Sequence, residues 1–209
     1  MKNLLVEYIA PSVNKMRLYE SANRAGMSAY FVECILQRAG QPGSGKGKNQ
    51  NGRYYSKPIL IREQSKYTES YIKENRAYGE LDHPDSSVVE VKNACHTVEE
   101  LWWSGDDMWG KLELLNTPSG NIVKNILQAG KTLGISSRGL GSVRPVAEEA
   151  GAVEVQDDYE LLCFDIVSNP STQGAFLRSV NESIDVKNTN QVKKYFYVNN
   201  LINDILKGK

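Results

Sequence analysis

Apolar and polar positions alternate at period two over residues 28–38. Tyr30, Val32, Cys34 and Leu36 carry the period and predict a strand that is apolar on both faces near its middle. The pattern then turns helical. Ser56 stands where a helix cap belongs and Pro58 in the first turn, and Leu60, Tyr67 and Tyr71 share a face up to about Arg76. Gly79-Glu80-Leu81-Asp82-His83-Pro84 reads as a turn, because proline biases the residue before it away from helical dihedrals. Residues 87–93 read as a strand. Residues 98–115 read as a hairpin, with Trp102 and Trp103 on one arm and Trp109, Leu112 and Leu114 on the other. The stretch Ser104-Gly105-Asp106-Asp107 makes its turn. Thr117 and Pro118 open a second helix with Ile122, Val123, Ile126 and Leu127 as its stripe, and Gly130 closes it. After residues 134–143, further strands are predicted within 152–156 and 159–168.

The two ends differ from the middle. The first 25 or so residues show no period and are broken by Pro11, which reads as an arm or short helix. Residues 181–190 are polar and read as a linker. Val192, Tyr195, Phe196, Leu201, Ile202, Ile205 and Leu206 then predict an amphipathic helix over 191–207. The organisation that follows is an arm (1–27), a main domain (28–180) and a linker with a C-terminal helix (181–209). The fold class is α+β, a barrel-like or strongly curved core of mainly antiparallel strands with helices packed outside.

Composition narrows the functions. The chain has 209 residues, enough to bury a core without disulfides or metal. Its 25 basic and 25 acidic side chains cancel, which argues against a general polyanion binder, so no specific nucleic-acid partner is expected. No apolar run is long enough to span a membrane. The N-terminal apolar stretch is short and interrupted by Glu7, a poor secretory signal. Three widely spaced cysteines, Cys34, Cys95 and Cys163, form neither a disulfide framework nor a zinc site, and suggest a reducing compartment. The only histidines are His83 and His96, so any imidazole chemistry uses one of them.

Residues 40–47, Gly-Gln-Pro-Gly-Ser-Gly-Lys-Gly, match most of a phosphate-binding loop. Position 47 is glycine where magnesium binding needs Ser or Thr, and no apolar helix follows. The stretch 39–53, with five glycines and one proline, reads as a glycine-rich loop.

Three elements carry chemistry. His83 is either an exposed turn residue or a base. Ser136 and Ser137, in Gly134-Ile135-Ser136-Ser137-Arg138-Gly139-Leu140-Gly141, either turn a glycine-rich strand end or supply a nucleophile. Asp165 interrupts the apolar run Leu161–Ser168, where a carboxylate is costly unless paired. It is either an edge charge or the group that orients an imidazole.

Taken together these stretches resemble the prohead core protease family of tailed bacteriophages with contractile tails. The matching pieces are Asn51–Tyr55, Gly79–Pro84, Leu101-Trp102-Trp103 with its hairpin, Gly134–Ser142 and Phe164–Ser171, in the family's order over roughly residues 28–172. The resemblance implies a fold like the herpesvirus capsid assembly protease and a serine endopeptidase carried inside the immature capsid in the host cytoplasm. It places the base at His83 and the nucleophile at Ser136, with Ser137 as rival. No histidine lies beyond Ser136, so Asp165 takes the third place, and His96 is left as a surface or strand-end residue. Backbone N–H groups near Arg138 and Gly139, with Arg138 assisting, are the oxyanion candidates. No cofactor or metal is implied.

The implied partners are scaffold or core proteins and the major capsid protein precursor, and a homo-oligomer is compatible. Family members cut after a glutamate with an aliphatic residue two positions earlier, and cut themselves. Leu5-Val6-Glu7 and, more loosely, Val180-Asn181-Glu182 fit, so Glu7 and Glu182 are the self-cleavage candidates and the C-terminal helix a removable segment. Ile61-Arg62-Glu63 and Ile72-Lys73-Glu74 also fit but fall in a predicted helix, which protects them. The competing readings are a non-catalytic capsid or tail-tube-related barrel protein, a nucleotide binder using the 40–47 loop, and a cysteine hydrolase using Cys95 or Cys163.

Overall fold

The computed structural model describes residues 3–9, 17–49, 51–84 and 86–168. The chain divides into two compact units, Met1–Ser179 and Val180–Lys209, and every described residue lies in the first. Glu182, the predicted linker and the predicted C-terminal helix lie outside the described residues.

Strands β1 (Asn3–Ile9), β2 (Arg17–Ala22), β3 (Ser28–Arg38) and β4 (Arg53–Tyr54) precede helix α1 (Lys57–Tyr67). Next come β5 (Tyr78–Glu80), β6 (Ala94–Ser104), β7 (Asp107–Leu114) and helix α2 (Pro118–Gln128). The described part ends with β8 (Gly134–Gly141), β9 (Val143–Pro145), β10 (Val153–Val155) and β11 (Glu160–Val167). Three sheets result, ordered β2-β3-β7-β6-β5, β1-β8-β11 and β4-β10-β9. All pairings within them are antiparallel except β4 with β10. The first two sheets meet at a parallel bridge between Leu81 and Ile166. Among the described residues the ladders do not run round into a closed barrel, so the expected α+β architecture is met there with separate sheets.

Local chemistry explains most elements. β3 lies between β2 and β7 and is buried through its middle, as its apolar faces require. β6 and β7 form the hairpin, with Gly105 at φ +63° in the two-residue loop and Trp102 stacked on Trp109 across the strands. Thr117 Oγ1 caps α2 by accepting from the Gly120 N–H at 3.1 Å, and Gly130 at φ +70° ends it. Val123 and Leu127 are buried, whereas Ile122 is exposed.

The structure departs from expectation in three places. The N-terminal segment is neither helix nor free arm: β1 pairs with β8 along its length, and β2 pairs with β3. That pairing comes from tertiary context, which a local period cannot reveal. Ser56 sits at the N-cap but its hydroxyl makes no cap bond, and α1 passes into a π-helical turn at Thr68–Ile72. Residues 87–93 form no strand. The Ser86 hydroxyl donates to the Val88 carbonyl and accepts from the Val88 N–H, satisfying locally the groups a ladder would need. Val88 and Val91 are consequently exposed, and Val91–Asn93 closes a 3-10 turn.

Candidate active site

The seam between β5, β8 and β11 carries the site. In the β8–β11 ladder Ser136 stands directly opposite Asp165. Opposite residues share a face with their Cβ atoms about 5 Å apart. His83 reaches them from the turn after β5. Asp82 takes φ +62°, a left-handed conformation that Asp tolerates better than most residues. Its N–H donates to the Ile166 carbonyl at 2.8 Å, and its carboxylate accepts from the Ser168 N–H at 3.4 Å. So anchored, Asp82 turns the chain back and delivers the His83 ring over the two strands.

The ring bridges the other two groups. His83 Nδ1 lies 2.7 Å from Asp165 Oδ2, and Nε2 is hydrogen-bonded with Ser136 Oγ. The carboxylate accepts only, which puts the proton of a neutral ring on Nδ1 and leaves Nε2 to accept from the serine hydroxyl. Ser136 and Asp165 are fully buried and the His83 side chain is 9% exposed.

Asp165 is held from several sides. Burial alone would raise its pKa. The His83 hydrogen bond, the Arg138 guanidinium and the Glu80 backbone N–H (2.9 Å to Oδ1) more than offset this and hold the carboxyl below its ordinary value.

The remaining candidates fall elsewhere. Ser137 follows the strand alternation to the opposite face, where its hydroxyl is buried without a hydrogen-bond partner. The oxyanion candidates Arg138 and Gly139 both lie in β8. The Arg138 guanidinium is turned to Asp165, Glu80 and the Ser86 carbonyl. A methyl on Gly139 would overlap the Tyr159 ring and the Glu160 carbonyl, so that glycine answers a packing need. β8 is the middle strand of its sheet, and both residues sit in ladders with β1 and β11. Glu7 pairs opposite Ser137 in the β1–β8 ladder.

His96 is fully buried rather than at the surface. Its ring fills the space left by Gly79, where any Cβ would overlap it. Burial pushes its pKa down to about 4 and keeps it neutral. The Cys95 and Cys163 thiols are buried, and burial raises the pKa of both, which leaves neither as a thiolate nucleophile. The 40–47 stretch closes on itself, Gly40 against Gly47, and leads into β4 rather than a helix. Among the described residues no cluster of His, Cys, Asp or Glu could hold a metal ion.

Glu80 is the residue that sequence reasoning missed. It lies inside the quoted Gly79–Pro84 stretch, yet nothing in the residue order shows that its side chain is fully buried.

Comparison with known proteins gives a consistent set. Residues 11–185 match the family model of the prohead core protein serine protease. The prohead core protein protease of Enterobacteria phage T4 is 33% identical over 159 residues, covering 73% of this chain and 71% of that protein. The solved structure of the bacteriophage T4 capsid assembly protease, gp21, superposes with a TM-score of 0.70 at 26% identity. The match covers 81% of this chain and 99% of that one.

Proposed function

The chain belongs to the family of prohead core protein serine proteases, and from that premise we propose that it cleaves peptide bonds with Ser136 as nucleophile, His83 as base and Asp165 as the orienting acid. The observation that carries the reading is the His83 ring, bonded on one nitrogen to Asp165 and on the other to Ser136. A structural barrel protein has no need of that arrangement.

The steps follow from the geometry. Ser136 Oγ attacks the scissile carbonyl carbon while His83 Nε2 takes its proton. The imidazolium so formed faces the Asp165 carboxylate, which stays ionised and stabilises it. His83 then gives the proton to the leaving amine, and the C–N bond breaks to leave an acyl-serine. Water, deprotonated by His83, cleaves that ester and restores the hydroxyl.

The substrates in this reading are the core and capsid proteins of the prohead in which the enzyme is enclosed, cut after glutamate, together with the chain itself. The likeness to the herpesvirus assembly protease belongs to the same proposal. Ser136 has no exposed surface, so a substrate carbonyl, or a small probe, reaches it only in transient local openings of the chain. That suits a precursor whose triad is assembled but covered. Glu7 lies in a paired strand, so cleavage there requires β1 to detach first. Glu182 is the second proposed self-cleavage position.

A fluorophosphonate probe tests the assignment. The account expects one covalent adduct, mapped to Ser136, lost in Ser136→Ala and kept in Ser137→Ala. An adduct on Ser137 or on a cysteine contradicts it.

A further inference from the structure

Behind the bonded Ser136, His83 and Asp165 lies a second, wholly buried set of charges. Arg138 is 1% exposed and Glu80 not at all. Arg138 Nε lies 2.6 Å from Asp165 Oδ2, and its NH2 group donates to Asp165 Oδ1 at 3.1 Å. The same NH2 group donates to Glu80 Oε2. Its other arm donates to the Ser86 carbonyl at 2.7 Å, tying the segment after His83 to β8. The guanidinium thus grips Asp165 along one edge, and Glu80 holds the guanidinium.

The charge balance is as telling as the grip. Among the described residues, the titratable groups around Asp165 include Glu80 from β5, Cys95 and His96 from β6, and Arg138 from β8. Cys163 on β11 and Tyr67 on α1 are also among them. Asp82 is exposed at the rim. Burial keeps both thiols and the Tyr67 hydroxyl protonated and His96 neutral above about pH 4. The buried charges that remain are Asp165 and Glu80 against Arg138. Without Glu80 the guanidinium would cancel Asp165, and a proton arriving on His83 would meet a neutral cluster. With Glu80 one negative charge is left to match the imidazolium.

We infer that Arg138 and Glu80 are positioning residues for the proposed proteolysis. Arg138 fixes the Asp165 carboxylate against His83, and Glu80 supplies the charge that keeps this cluster net negative when His83 takes the serine proton. The inference rests on the serine protease reading, but its main test needs no activity.

That test is an NMR titration of the His83 imidazole in the full chain carrying Ser136→Ala, which removes self-cleavage. The chain has only two histidines, and His96 stays neutral above about pH 4, so the His83 signals are separable from those of His96. Glu80→Gln is expected to lower the His83 midpoint by about one pH unit. Glu80→Asp, which keeps the charge, is expected to return it most of the way. With Ser136 intact, Glu80→Gln also moves the acid limb of fluorophosphonate labelling to lower pH. Arg138→Lys keeps the charge but loses the two-point grip. It is expected to slow labelling about tenfold while leaving the midpoint near the parent's. A folded Glu80→Gln chain with an unmoved midpoint overturns the inference. Should that chain not fold, Arg138→Lys decides: a folded chain labelled at the parent's rate overturns it. A purely structural role would lower melting temperatures and leave midpoint and rate alone. A parent chain that never labels refutes the protease reading and leaves the midpoint comparison intact.

Discussion

Strands β7 and β8, from different sheets, treat polar side chains in opposite ways. In the five-stranded sheet β7 alternates strictly, with Met108, Gly110, Leu112 and Leu114 inside and Lys111 and Glu113 on the other face. There Lys111 lies over the Phe31 ring and Glu113 accepts from Asn23. In the three-stranded sheet β8 buries Ser136, Ser137 and Arg138 in succession, and β11 buries Asp165. Burying such groups is unfavourable unless each is paired, so they add little to stability. What they provide is a constellation of donors and acceptors held at fixed distances. β7 makes the fold, whereas β8 and β11, with Glu80 from β5, spend stability on the site.

The largest expected effect belongs to the second sheet. Asp165→Asn keeps the shape but offers His83 an amide in place of a carboxylate. The rate of fluorophosphonate labelling should fall ~10⁴-fold, as when the acid of such a triad is replaced. A fall of less than about tenfold would remove Asp165 from the mechanism.

Leu112→Ala tests the other side of the comparison. Leu112 is fully buried in the five-stranded sheet, and its truncation should cost about 2–5 kcal/mol in a denaturant titration. A loss below about 1 kcal/mol would mean that this sheet is not where stability resides.

Next in size is the acid response of the buried imidazole. The unfolded chain protonates His96 near the ordinary value of about 6.5, and the folded chain only near 4. Between those values the unfolded state binds the extra proton, so stability falls as pH falls, by about 3 kcal/mol in all. Replacing His96 with Gln should flatten stability over that window. The Asp165 carboxyl, held low, loses its contribution only at more acid pH. An unchanged slope in His96→Gln would contradict the buried neutral ring.

The smallest effect is expected at Ser137. Its hydroxyl is buried without a partner, so Ser137→Ala should change stability by less than about 1 kcal/mol and leave labelling intact. Loss of labelling would exchange the roles of the two serines.

The same contrast explains what the residue order revealed. β3, the β6–β7 hairpin and α2 were legible because period two, a Gly105 turn and the Thr117–Gly130 brackets are local signals. β1 was not, because it exists by pairing with β8. Residues 87–93 misled because Ser86 captures the Val88 backbone, a choice their valines do not show. Within the site, Asp165 stood out as a carboxylate in an apolar run, and His83 as one of two histidines. Arg138 was legible as a residue but not in direction. Strand alternation puts it on the Ser136 face, and only the β8–β11 register sets it beside Asp165. Glu80 stayed hidden because burial of a charge depends on a partner far along the chain.

The most direct test of the central claim is the intact mass of the wild-type chain over time, beside Ser136→Ala produced and incubated identically. The account predicts that wild type shortens after Glu7 or Glu182, alone or with core protein added, while Ser136→Ala stays whole. Equal shortening of both chains, or none in either when core protein is present, would contradict it.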